Sequence, residues 1–265
     1  MNPTTFDDRL YVGPRHRWRT AWLAGLLAEA LAAPSAAGDH APPVALDLGC
    51  GEGSLALDLA ARGFTVLACD LDVGRLRRVA RRARECGLTG SVHLFRADAQ
   101  ALPLALGVVD GAACGEVLEH LQDDRGALAA LRSALAPGAP AIISVPAGPG
   151  RLGPVDRAVG HERRYDEACL RSLLADAGLA VVSLRPWGFP FGRLYDRWVQ
   201  GPALTTASPA GRRFWARLGR SAAIDRCFRL LFTLDLPLSR LAPESGSGWL
   251  ALAIAPRPQP PSSSS

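Results

Sequence analysis

Lysine is absent from this chain: all 30 basic side chains among its 265 residues are arginines. Asparagine occurs once, at Asn2, and isoleucine four times, while Ala, Leu, Gly and Pro abound. That skew suggests GC-rich coding, so an arginine here often means only that a cation was wanted. Arginine richness alone is therefore no sign of phosphate recognition. The six cysteines (50, 69, 86, 114, 169 and 227) include no C-x-x-C pair. Cys50, Cys69 and Cys114 fall in or beside apolar runs, where a thiol packs as a small hydrophobe. Long apolar runs are missing too: the longest, Ala21 to Ala33, is interrupted by Glu29 and is too short to span a bilayer. The opening segment Asn2–Asp8 is acidic and lacks the apolar region of a signal peptide. From these absences a reduced, cytoplasmic protein is expected. There is no internal repeat.

What is present is an ordinary globular composition, 48% apolar and 21% charged. The length suffices for one large α/β domain or two small ones. The net charge of +5 is unevenly spread. Residues 185–240 hold ten Arg against Asp196, Asp225 and Asp235, whereas residues 1–184 carry a slight acidic excess. Such a segment is either a solvated helix face or a surface for an anionic substrate, a membrane or nucleic acid.

Along the chain, Arg15–Ala33 reads as an amphipathic helix, with Trp18, Trp22, Leu26 and Ala30 at helical spacing. A Pro/Gly/Ala linker, Pro34–Pro43, follows. Strands then alternate with helices: strands at Val44–Leu48, Thr65–Cys69, Val92–Phe95, Val108–Cys114 and Ala141–Val145, and helices at Ser54–Arg62, Val73–Cys86 and Asp123–Leu135. That alternation predicts a parallel sheet covered on both faces. A Gly/Pro-rich loop leads to a helix at Glu167–Ala177 and a strand at Leu179–Leu184. A basic, aromatic insertion over about 187–247 precedes a last strand, Trp249–Ile254. The expected organisation is an N-terminal helix and linker (1–43), one domain (44–255) and a Pro/Ser-rich disordered tail (256–265).

Asp47-Leu48-Gly49-Cys50-Gly51-Glu52-Gly53 joins the first strand to a helix. Glycines there let a ligand approach the backbone, and the helix N-terminus offers free N–H groups. A dinucleotide fingerprint needs G-x-G-x-x-G, but here Ser54 occupies the last place. Asp47 is awkward beside a pyrophosphate, yet it suits the cationic amino-acid end of S-adenosylmethionine. Asp70 ends the second strand, where a carboxylate accepts ribose hydroxyls. Asp98-Ala99 follows the third, where a carboxylate accepts an adenine amino group.

The ordered set ALDLGCGEG, LACDLD, ADAQALPL, VDGAACGEVLEHL and LAPGAPAIISVP resembles the class I S-adenosylmethionine-dependent methyltransferases. The resemblance covers roughly residues 44–185 and the final strand. It implies a Rossmann-like α/β fold: a seven-stranded, mostly parallel sheet with an antiparallel last strand and helices on both faces. It also implies a cofactor set of Asp47, Gly49, Cys50, Gly51, Gly53, Asp70, Leu71, Asp98, Ala99 and Glu116. The runs Arg15–Trp18 and Gly160–Tyr165 are similar to those of a bacterial subgroup of that family.

Glu116-Val117-Leu118-Glu119-His120 leaves the fourth strand. In a helical turn Glu116, Glu119 and His120 would share one face. With His161 from the loop after the fifth strand they could hold a divalent cation: Mg, Mn, Fe or Zn. The run is similar to that of the ubiquinone-pathway O-methyltransferases and the small-RNA 2′-O-methyltransferases, both metal-dependent, which carry Glu-x-x-Glu-His and a later His. The competing reading uses Glu116 as a cofactor contact and His120 or His161 as a metal-free general base.

The resulting expectation is an enzyme that methylates an oxygen of a small or lipid-like metabolite, with substrate contacts from the N-terminal helix, the 147–166 loop and the insertion. Peripheral membrane contact is compatible with the basic segment. An RNA 2′-O-methyltransferase is one alternative, disfavoured because no RNA-binding module is present. A protein that binds the cofactor without methylating is the other. Nothing in the sequence sets an oligomeric state.

Overall fold

The computed structural model describes residues 13–32, 41–202 and 222–257. Its sheet has seven strands: β1 (Val44–Leu48), β2 (Thr65–Asp70), β3 (Val92–Arg96), β4 (Gly111–Gly115), β5 (Pro140–Pro146), β6 (Ala180–Trp187) and β7 (Gly248–Ile254). They lie in the order β3-β2-β1-β4-β5-β7-β6. The ladders β1–β2, β1–β4, β2–β3 and β4–β5 are parallel, whereas β7 runs antiparallel to both β5 and β6. The parallel ladders are those that the alternation of elements predicts, and the Rossmann-like seven-stranded sheet with its antiparallel last strand is the one that the family resemblance implies. Two strand boundaries differ from the sequence reading by more than one residue. β4 starts at Gly111 rather than Val108, because Asp110 turns back and its Oδ2 accepts the Val44 N–H at 2.8 Å. β6 continues to Trp187, whose ring is buried against the helices of one sheet face.

Eight helices flank the sheet among the described residues: α1 (Pro14–Leu31), α2 (Ser54–Ala61), α3 (Val73–Glu85), α4 (Asp124–Ala134), α5 (Pro154–Val159), α6 (Glu167–Asp176), α7 (Phe191–Tyr195) and α8 (Ala222–Ser239). Strand alternation divides the core. Leu46, Leu48, Ala112, Cys114, Ile143 and Trp249 face α4 and α6, while Ala45, Val66, Ala68, Ala113, Ile142 and Leu250 face α1, α2 and α3. α3 shows how local chemistry fixes an element. Asp72 caps it by accepting the Gly74 and Arg75 N–H groups, and Leu76, Val79 and Ala83 form its buried stripe. Arg82 and Arg84 sit in the last turn, where cations suit the helix dipole.

α1 crosses the sheet over β4. Gly111 and Gly115 leave room for it: a Cβ on either would lie 3.0 Å from a Leu27 or Leu23 methyl. The buried stripe of α1 is Trp18, Leu23, Ala24 and Leu27, with Arg19 and Thr20 buried beside it. This differs from the expected stripe of Trp18, Trp22, Leu26 and Ala30, because the helix is covered on two sides, by the sheet and by the insertion. α8 closes the second side. Trp18 stacks with Trp22 and tilts against Trp187 and Phe232, its Nε1–H donates to Thr233 Oγ1 at 3.3 Å, and Arg17 pairs with Asp225 at 2.6 Å. The described insertion aromatics divide: Trp187, Tyr195 and Phe232 are buried in the core, Phe228 packs against it partly buried, and Trp198 is exposed. Phe214 and Trp215, the linker around residue 35 and nearly all of the tail lie outside the described residues. All six cysteines are free. No described helix is long and apolar enough to cross a membrane.

Leu23→Ala should destabilise the protein by about 2–5 kcal/mol through the cavity left under α1. Gly115→Val should cost about 1–3 kcal/mol by overpacking the same contact. Denaturant unfolding reads both, and unchanged midpoints would show that α1 is not docked on β4.

Candidate functional site

The carboxyl ends of β1, β2, β4 and β5 meet at one edge of the sheet, and the chemistry gathers there. Gly49, Gly51 and Gly53 all have positive φ. At Gly49 a Cβ would press within 2.6 Å of Val117, so packing demands glycine. At Gly51 a Cβ would meet nothing within 4 Å, so the loop is open to whatever approaches it. Cys50, nearly buried, anchors the loop through its N–H to the Cys69 carbonyl at 2.8 Å.

Asp70 accepts the Gly51 N–H on Oδ2 and the Asp72 N–H on Oδ1, both at 2.9 Å, so one carboxylate shapes both strand-end loops. Asp47 is 2% exposed and its Oδ2 has no partner. Burial, reinforced by the charge of Asp70 and opposed by a hydrogen bond from the Ala56 N–H, pushes its pKa up to about 7. Leu71 is exposed beside Asp70, and Asp98 is exposed with its carboxyl held low by the backbone and side chain of Gln100. Ala99 packs partly buried at the margin of the core. An orphaned buried carboxylate oxygen, an open glycine turn and an exposed apolar step fit the cationic, polar and planar parts expected of S-adenosylmethionine.

The second constellation takes a shape that helical spacing did not anticipate. Glu116 has φ 60, in the left-handed region that non-glycine residues rarely adopt. The helical turn starts only afterwards, as a 3₁₀ turn over Leu118–His120. Glu116 therefore leaves the face shared by Glu119 and His120. Its Oε1 accepts the Ser144 hydroxyl at 2.7 Å, and its Oε2 lies 3.1 Å from the guanidinium of Arg19. Arg19, then Arg15 and the Ser144 hydroxyl, hold the Glu116 carboxyl below its ordinary range against the opposing effect of burial. As a metal ligand Glu116 is thus displaced from the other three. It stands instead where β4 meets the glycine loop, the position expected of a cofactor contact.

Glu119, His120 and His161 do converge: each offers a ligand atom, and these lie within 4.8 Å of one another. Glu119 is fully buried with neither carboxylate oxygen partnered. Burial and the neighbouring Glu116 charge raise its pKa well above the usual range. His161 Nε2, 3.8 Å from Glu119 Oε1, is also unpartnered. Asp156 accepts from His161 Nδ1 at 2.8 Å, and the Gly160 carbonyl accepts from His120 Nδ1 at 3.0 Å. With both Nδ1 atoms so engaged as donors, each ring keeps its lone pair on Nε2, the arrangement by which a histidine is oriented toward a metal. Burial lowers both imidazole pKa values, with the charge of His161 adding to the effect at His120, which favours the neutral rings. This donor set fits a divalent cation.

A cavity of about 570 Å³ opens beside these groups. α1 contributes Arg15, His16 and Arg19, α5 contributes Asp156, and the loops on either side of α5 contribute Arg151, His161 and Arg164. The insertion contributes Phe189, Arg193 and Tyr195. His16 is half-buried with both ring nitrogens shielded, and its pKa falls to about 3 through desolvation and the adjacent Arg19 charge, so it is neutral. Sequence reasoning missed Arg19, Ser144, Asp156 and Arg164. The signal for Arg19 was its i, i+4 spacing from Arg15 on a helix otherwise apolar on that side. No local pattern marked Ser144 or Asp156.

Arg19→Met should destabilise the fold by about 3–5 kcal/mol, because it strands a buried carboxylate. The Arg19→Met/Glu116→Gln double variant should recover much of that loss. Equal unfolding free energies for the wild type and the single variant would refute the coupling.

Comparison with known proteins follows the same outline. A family model described as "Methyltransferase domain" matches residues 45–138. The ubiquinone biosynthesis O-methyltransferase of Caulobacter sp. (strain K31) is 32% identical over 143 residues, covering 52% of this chain and 56% of that protein. The tRNA 5-carboxymethoxyuridine methyltransferase of Escherichia coli (strain K12) is 35% identical over 94 residues, covering 35% of this chain and 36% of that protein. The chain thus spans little more than half the length of the first of these relatives and about a third of the second. Among solved structures, a putative sarcosine dimethylglycine methyltransferase from Galdieria sulphuraria shares the fold at a TM-score of 0.63 and 15% identity, covering 90% of this chain and 85% of that one. Residues 45–138 thus carry a methyltransferase domain, and the described residues take the fold of the class I S-adenosylmethionine-dependent methyltransferases.

Proposed function

We propose that this protein methylates an oxygen of a small or lipid-like acceptor, with Glu119, His120 and His161 serving the accepting atom. The observation that carries the reading is the buried, partnerless Glu119 carboxylate facing His161 Nε2. A buried carboxylate left without hydrogen bonds is costly unless the group is neutral or finds a partner. Here the available partners are a metal ion or a proton in transit.

S-adenosylmethionine supplies an electrophilic methyl group on a sulfonium, and a divalent cation held by Glu119, His120 and His161 would supply Lewis acidity. The rest falls to the chain. Asp47 accepts the ligand's ammonium, Asp70 its ribose hydroxyls and Asp98 its adenine amino group, while the open face of Gly51 lets the backbone approach. Alignment of donor and acceptor is then a matter of proximity. An acceptor hydroxyl must also lose its proton. With a metal held there the Nε2 lone pairs are its ligands and the acidified hydroxyl gives its proton to solvent; without one, His120 Nε2 or His161 Nε2 takes it, with Asp156 and the Gly160 carbonyl stabilising the imidazolium through the opposite nitrogen.

The cofactor limb is tested by calorimetry with S-adenosylhomocysteine. Asp70→Ala should weaken binding by about 1–3 kcal/mol. Asp47 adds a pH signature. Its carboxyl is protonated in the free protein below about pH 7 but must ionise to hold an ammonium group. Affinity should therefore rise as pH increases toward 7, with a proton released on binding, and level off above it. Asp47→Asn should abolish that slope, and a slope that survives the substitution would remove Asp47 from the site.

The metal limb is read by metal content together with turnover. His161→Ala and His120→Ala should each lose bound metal while S-adenosylhomocysteine affinity stays nearly unchanged. Turnover should fall with a chelator and return with added divalent ion. Full activity in metal-free enzyme would leave one of the histidines as an unassisted base.

A further inference from the structure

The cavity has a charge surplus that methyl transfer does not use. Its wall holds three carboxylates, and each is already engaged by an arginine. Glu116 pairs with Arg19, Asp156 with Arg164 at 2.8 Å, and Asp196 with Arg15. Three further arginines line the same space: Arg151, Arg193 and Arg197. Among the described residues none of the three pairs with a carboxylate. Arg197 lies over the Trp198 ring, 5.6 Å from its centroid.

Arg151 and Arg193 come from different elements, the loop after β5 and helix α7, yet they are moored to the same turn. Arg151 donates to the Gly246 carbonyl at 2.7 Å and Arg193 to the adjacent Ser245 carbonyl at 3.4 Å. Two guanidinium groups gathered at one turn repel each other, and neutral carbonyls relieve that only in part. Each keeps N–H groups that these bonds do not use. An oxyanion is the ligand whose charge and lone pairs answer both groups at once. The compositional discount that applies to arginine in this chain does not reach this pair, because it rests on where the side chains are tethered and not on how many there are.

The surroundings narrow the class. The same cavity is also lined by the apolar side chains of Pro146, Pro154, Val155, Phe189 and Leu194. Building on the methyl-transfer reading above, we propose that the acceptor is an anionic amphiphile. Its carboxylate or phosphate docks between Arg151 and Arg193 at the Ser245–Gly246 turn, its apolar body lies along this wall, and its reacting oxygen reaches the histidines.

Calorimetry on the full chain tests this with five probes, each titrated with and without S-adenosylhomocysteine: octyl phosphate, octanoate, inorganic phosphate, octyl glucoside and octyltrimethylammonium. Octyl phosphate or octanoate should bind, whichever is tighter naming the anion, and the neutral and cationic probes should bind at least tenfold more weakly. Inorganic phosphate should also be weaker than octyl phosphate. Arg151→Gln and Arg193→Gln should each cost tenfold or more in affinity for the anionic probe. Arg151→Lys, which keeps the charge, should recover much of it. Arg240→Gln, exposed and outside the cavity, should change nothing. Octyl glucoside binding as tightly as octyl phosphate, or Gln variants with wild-type affinity, would overturn the proposal. The arms without S-adenosylhomocysteine separate the two readings. Loss of nucleoside binding with the anion pattern intact would fault the cofactor assignment alone, and the reverse would fault this one alone.

Discussion

A buried carboxylate on a left-handed residue is the constraint on which the site depends. Glu116 ends β4 at φ 60 and is held from two directions, by Ser144 of β5 and by Arg19 of α1. That grip reverses the chain after β4, so that the next turn delivers Glu119 and His120 to the edge of the sheet. It also pins α1 across β4, where Gly111 and Gly115 make room. Strain of this kind persists only when its surroundings over-determine it, and it clusters at functional positions.

Two glutamates three residues apart are thereby driven in opposite directions. Arg19 keeps Glu116 ionised, and that charge, added to burial, disfavours ionisation of Glu119. Separating the two carboxyls assigns them different work, one a fixed anion and the other a group waiting for a proton or a cation. Asp156 plays a related part for the loop. It accepts from His161, Arg164 and the Gly153 N–H, so a single carboxylate orients an imidazole and binds the loop that carries it.

Much of the frame was legible because its signals are local. Each strand end at the edge proposed for the cofactor announces itself within a few residues: Asp47 with its glycines, Asp70, Asp98. The antiparallel last strand came with the family resemblance. The geometry of Glu116 was not legible, since i, i+3, i+4 spacing presumes a helix and the backbone inverts first. Nor was the role of Arg19, whose partner lies far along the chain and meets it only after the sheet has formed. The aromatic insertion was half legible. Its tryptophans and phenylalanines read as core or pocket alike, and the structure divides them, with Trp187 and Phe232 inside and Phe189 on the cavity wall.

The position of β7 has a consequence for the order in which the molecule is made. β5 and β6 do not pair with each other; each pairs with β7, which joins Pro140 and Ala180 through the same residue, Ile254. On a growing chain β6 has no ladder to enter until nearly the whole described sequence has been synthesised. The parallel half of the sheet, β3-β2-β1-β4-β5, can assemble early and bury its own apolar faces, while the turn that moors Arg151 and Arg193 waits for the last strand. The edge that carries Asp47, Asp70 and Asp98 can thus mature first during synthesis, and the wall that carries Arg151 and Arg193 is the final piece of the fold to close.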